Sequence, residues 1–126
     1  MEEEIVEKKT VGRQRFSEIL GPSAERVLAK LESVSPDLAH YVLGFAYGDL
    51  YARGGFADKW RELAAVSCLV GQGNTGLPLK SHLEGMINVG WKKEEIGELL
   101  LFLIAYVGFP SIVEAFGVLR ELTKSE

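Results

Sequence analysis

The 126-residue sequence predicts an all-α protein of six or seven helices. Two observations carry this expectation. No stretch alternates apolar and polar residues over a useful length, so strands are not indicated. Apolar residues instead recur at helical spacing, in segments separated by Gly21-Pro22, Ser35-Pro36, "ARGGF", "GQGNTGLP", Asn88-Val89-Gly90 and Gly108.

The elements follow in order. Residues 1–11 form a charged N-terminal tail, loosely held over its first ten residues, ahead of a single domain over 12–124. A short helix over 12–20 stops at Gly21-Pro22, and a second covers 22–33. Ser35 and Pro36 supply an N-cap and a first-turn proline for a helix reaching about residue 52, with Leu38, Tyr41, Val42 and Phe45 at helical spacing. The next helix, 58–71, is apolar on nearly all sides (Trp60, Leu63, Ala64, Val66, Cys68, Leu69, Val70) and reads as buried. Pro78 starts the helix that carries His82, and Asn88-Val89-Gly90 ends it. "KKEE" opens a helix whose second half, "LLLFLIAYVG", is apolar all round. Gly108 stops it, Pro110 starts the last helix, and "TKSE" frays.

Composition narrows the function classes. A chain this short that is 47% hydrophobic carries more apolar surface than one small core absorbs, and association into a homo-oligomer would cover the surplus. The net charge of −4 and the lack of a basic stripe argue against nucleic acid. The run from Leu99 to Phe109 is too short to span a bilayer, and the polar, acidic first ten residues do not read as a signal peptide. Cys68 is the only cysteine, which rules out an intrachain disulfide and suits a cytoplasmic setting.

Two ionisable residues stand out. At about 100° per residue, His82 falls just inside the apolar arc of its helix, between Val89 and Met86. Desolvation favours a neutral imidazole unless an acid pairs with it. Glu62 shares its helix face with Ala65, Val66 and Leu69, and a carboxylate there needs a partner. Spacing alone leaves His82 open to a packing role and Glu62 to a salt bridge with Lys59 or Lys80. Cys68 lies about 240° around the helix from Glu62 and reads as a small buried hydrophobe. His40 points away from the Leu38–Phe45 stripe, toward exposure or an oligomer contact. Tyr106 ends an apolar run and reads as packed in the core, its hydroxyl in want of a buried partner. The loop "GQGNTG" lacks the GK[ST] ending and a preceding strand, so it is no P-loop. Two distant histidines and scattered acids give no metal site.

Four segments together resemble the carboxymuconolactone decarboxylase family: "PDLAHYVLGFAYGDLYARGGF", "KWRELAAVSCLV", "KSHLEGMINVGWKKEEIGELLLFLIAYVGFPSIVEA" and "LRE". The most specific part reads His82, Met86, Asn88, Gly90, Lys92, Glu94, Glu95, Ile96, then Tyr106, Gly108 and Pro110. The resemblance implies an alkylhydroperoxidase D-like all-α fold and a homo-oligomer, a hexamer in decarboxylase-like members and a trimer in alkylhydroperoxidase-like ones. The latter branch uses a glutamate, a CxxC pair and a histidine. Glu62 and His82 match the outer two, at an interval one residue longer, but Thr75 and Pro78 stand at the cysteine positions. Disulfide-based peroxide reduction needs two adjacent thiols, and they are missing.

The decarboxylase branch needs no cysteine and implies no cofactor or metal. Loss of CO2 from a small carboxylated lactone leaves a dienolate, which needs a donor for its oxyanion and an acid to protonate carbon. The resemblance assigns His82 to that chemistry with Glu62 orienting it. Lys80, Arg53 and Tyr106 are the candidates for holding the substrate. A non-catalytic oligomer that binds a small molecule is the other reading of the same residues.

Overall fold

The computed structural model describes residues 1–124, and its regular structure is helical, with no strand among the described residues. The chain forms two compact units, Met1–Asp58 and the residues from Lys59 onward.

In the first unit, α1 spans Glu2–Leu20. Residues 2–10 are therefore helical rather than a loose tail. Glu and Lys are good helix formers, and acids occupy the first turn, where the dipole favours them. Lys8 adds ion pairs to Glu4 at 3.7 Å and to Asp49 at 3.4 Å. Gly21–Ser23 makes a 3₁₀ turn, closed by the Ser23 hydroxyl donating to the Leu20 carbonyl at 2.9 Å. This turn delays α2, which runs Ala24–Val34 rather than from Pro22. The helix α3 (Pro36–Tyr41) starts as expected, with Ser35 Oγ accepting from the Leu38 amide at 3.2 Å. It passes directly into a π-helical segment, Val42–Leu50.

That segment meets α1 backbone to backbone. A Cβ on Gly12 would fall on the carbonyl oxygen of Leu43, and one on Gly48 would crowd the carbonyl of Lys8. A glycine from each helix thus admits the contact, as only a residue without Cβ can. The buried set includes Phe16, Ile19, Leu20, Val27, Leu28, Ala39, Leu43 and Tyr47. Phe16 packs edge-on against Tyr47 at 4.9 Å, and Tyr47 stacks on Tyr51 at 4.4 Å.

The stripe of Leu38, Tyr41 and Phe45 faces outward, with Tyr41 68% exposed. The helix is apolar on more than one face, so periodicity alone does not choose between them. The close approach of Gly12 to Leu43 turns Ala39, Leu43 and Tyr47 inward. His40 is partly buried and lines a cleft of about 340 Å³ with Lys9, Arg13 and Glu32.

Arg15 ties three parts of this unit together. It donates to Asp58 at 2.5 Å, to the Tyr51 carbonyl at 3.1 Å and to Glu18 at 3.3 Å. The bond to Asp58 raises the guanidinium above its ordinary value, against the lowering effect of burial. A raised cation stabilises the fold fully below its unfolded value, so this contribution is constant around neutrality. Arg15→Met keeps the stem and loses the bonds; unfolding in urea should show a loss of about 1–3 kcal/mol. Arg15→Lys should recover only part of it, lacking the guanidinium fork.

In the second unit, α4 (Asp58–Gly71) is followed by α5 (Leu77–Asn88), α6 (Lys93–Val107) and α7 (Phe109–Lys124). The last helix is still regular at Lys124, so "TKSE" does not fray at its start. The rest of that expectation, Ser125 and Glu126, lies outside the described residues. Val66, Val70, Leu79, Leu83, Met86, Ile96, Leu100, Ile112 and Leu119 form the core.

The glycine-rich loop is a capping device. Asn74 Oδ1 accepts from the amides of Gly76 at 3.2 Å and Leu79 at 3.3 Å, serving the first turn of α5. The other end of α5 closes on Gly90, whose φ of 111° suits glycine. The Gly90 amide donates to Ile87 and the Trp91 amide to Met86. At the start of α6, the Lys92 amide donates to Glu95 Oε1 at 2.9 Å.

Neither α4 nor α6 is wrapped all round. Trp60, Ala64 and Cys68 are exposed along α4, so Cys68 is not a buried hydrophobe. On α6, Leu101, Phe102 and Tyr106 are exposed. Tyr106, at 77%, is not packed in the core and lies against Phe102 with ring centroids 5.5 Å apart. Both helices are apolar beyond what this unit covers. Among the described residues no helix is long and apolar enough to cross a membrane.

Candidate active site

Glu62, Val66 and Val70 are the buried residues of α4, four apart and so on one face. Glu62 is the charged member, and its side chain is 0% exposed. On α5, Leu79, Leu83 and Met86 are buried, and His82 sits at the edge of that face with its side chain 20% exposed. The two helices bring Glu62 Oε1 to 2.8 Å from His82 Nδ1.

With Glu62 ionised the bond runs from the ring Nδ1–H to Oε1, because a carboxylate can only accept. The bond holds the ring and its tautomer, and leaves Nε2 as the nitrogen not committed to Glu62. A buried carboxylate behind a partly exposed imidazole can balance charge on the ring while the outer nitrogen moves a proton.

Within the second unit, Lys80 and Tyr106 point away from this pair. Lys80 lies two residues from His82, about 200° around α5. It lines a separate cleft of about 380 Å³ with Thr75, Gly76, Glu114 and Glu121. Arg53 belongs to the first unit and is exposed. Tyr106 is on the outer face of α6.

Lys59, read from the sequence only as a possible partner of Glu62, and Trp91, which sequence reasoning passed over, link α4 to the turn after α5. Trp91 donates its indole N–H to the carbonyl of Lys59 at 2.9 Å, and the Lys59 ammonium lies 4.4 Å from the Trp91 ring centroid. The signal for them was present: Lys59 precedes Glu62 by three residues, and Trp91 follows the glycine that closes α5. Among the described residues no three His, Cys, Asp or Glu side chains are grouped to hold a metal ion.

The fold and the pair define a helical protein with a buried glutamate hydrogen-bonded to a partly exposed histidine. The Carboxymuconolactone decarboxylase family profile matches residues 36–121, more than half the sequence, and the chain belongs to that family. A 4-carboxymuconolactone decarboxylase from Acinetobacter baylyi is 29% identical over 114 residues, 90% of this chain and 84% of the relative. The nitrosuccinic acid decarboxylase npaB of Metarhizium robertsii is 35% identical over 77 residues, 61% of this chain and 53% of the relative. Peroxisomal protein 2 of Schizosaccharomyces pombe is 31% identical over 86 residues, 68% of this chain but 40% of the relative.

Proposed function

We propose that the protein is a cofactor-free acid–base decarboxylase acting on a small carboxylated lactone or a related carboxylic acid. The observation that carries this reading is the 2.8 Å contact between buried Glu62 and His82. Two relatives that bear decarboxylase names support it, one for a carboxylated lactone and one for an open-chain nitro acid.

In the reaction, the bond from ring carbon to carboxylate breaks and CO2 leaves. The electron pair delocalises toward the lactone carbonyl as a dienolate. His82, doubly protonated and held by Glu62 through Nδ1–H, gives its Nε2 proton to carbon. It ends as the neutral ring, and solvent restores the proton. Glu62 stays ionised and balances the imidazolium.

The test is CO2 release from 4-carboxymuconolactone and from nitrosuccinate by the purified protein. Turnover of either supports the reading. Binding of both without CO2 release would replace it with a non-catalytic binder.

The same proposal includes assembly into a homo-oligomer, a hexamer by the family resemblance. Its support is the exposed apolar side chains of each unit, Tyr41 at 68% in the first and Phe102 at 63% and Phe109 at 67% in the second. Sedimentation equilibrium should give a mass six times that of the chain; a monomer at micromolar concentration would overturn this part.

A further inference from the structure

A carboxylated substrate is bound most directly by a cation, and Lys80 is not on the His82 side of α5. Lys59 meets the requirement better. It precedes Glu62 by three residues on α4, so the two stand on adjacent turns about 60° apart around the helix. A lysine near a helix start is ordinarily a mobile surface cation; this one is partly buried and held.

The holding group is Trp91, which is fixed at two points. Its amide donates to Met86 at 2.9 Å, one turn beyond His82 on α5. Its indole N–H donates to the Lys59 carbonyl on α4 at 2.9 Å. Trp60 packs against it edge-on at 5.6 Å. The Lys59 ammonium then sits over the ring face at 4.4 Å. The Lys59–Trp91 bracket therefore ties α4 to the turn that closes α5, while the Glu62–His82 bond ties α4 to α5 itself.

We infer that Lys59 is the cation that binds the substrate carboxylate beside Glu62 and His82, and that Trp91 is its positioning residue. An ammonium has three donors, and contact with a ring face leaves N–H groups for a carboxylate. The inference rests on the acid–base reading above for the class of ligand.

The experiment separates the two. The probe is 5-oxotetrahydrofuran-2-carboxylate, a saturated lactone acid that cannot turn over, titrated into the full chain while the Trp91 indole and His82 ring resonances are followed by NMR. In the wild type both should move together. Lys59→Met should weaken binding at least tenfold while the protein keeps its melting temperature. Lys59→Arg should restore binding to within a few-fold, and Trp91→Phe should fall between. Binding equal to wild type in Lys59→Met, or no binding of the probe to the wild type, overturns the inference. CO2 release that survives Lys59→Met with unchanged KM would do the same while leaving the decarboxylase reading intact. Lys59-dependent binding with no CO2 release from any substrate would keep Lys59 and remove that reading.

Discussion

His82→Gln is expected to lower kcat/KM for the decarboxylated substrate by about 10²–10⁴-fold, the usual worth of a positioned general acid. Glutamine is the informative replacement. It keeps an N–H for Glu62 to accept, so the buried carboxylate is not abandoned. His82→Ala removes that partner and adds a folding cost of about 1–3 kcal/mol, because a buried group that loses a hydrogen bond keeps its desolvation penalty. Comparing the two in parallel assays and urea titrations separates chemistry from stability. Glu62→Gln keeps shape and burial but loses the charge behind the ring, and its rate should fall between wild type and His82→Gln. A His82→Gln protein with wild-type kcat/KM would show that the imidazole does not move the proton.

The largest stability effect is expected at Gly12. In Gly12→Ala the new Cβ would occupy the place of the Leu43 carbonyl oxygen, with the Gly48 amide close by. These neighbours are backbone, so no flexible side chain can give way. α1 and the π-helical segment must separate, at a cost on the order of 3 kcal/mol by comparison with overpacked cores. Gly44→Ala is the control: a Cβ there meets open space. Alanine is the better helix former by about 0.5–1 kcal/mol, so that variant should be neutral or slightly more stable. Equal urea midpoints for Gly12→Ala and the wild type would mean that the two backbones do not touch.

Much of the second unit was legible because its breakers are chemically definite. Asp58, Pro78, Gly90 and Gly108 mark helix ends close to where the structure has them. The Glu62–His82 pair was legible as two ionisable groups on apolar faces, although only the structure puts 2.8 Å between them. Direction was not legible where helices are apolar beyond one face. Leu38, Tyr41, Phe45, Trp60, Cys68 and Tyr106 all invite burial by type, and the chain turns them outward. The side of α5 taken by Lys80 follows from the same 100° count that placed His82. The helix over residues 2–10 was hidden because high charge looks like a solvated tail.

The outward aromatic and aliphatic residues have a consequence for handling. If copies of the chain cover them, folding and association are linked by mass action, and dilution lowers the apparent melting temperature. A stability measured at one protein concentration then describes that concentration alone. Variants compared at unequal expression yields would differ in Tm even where the substitution does nothing.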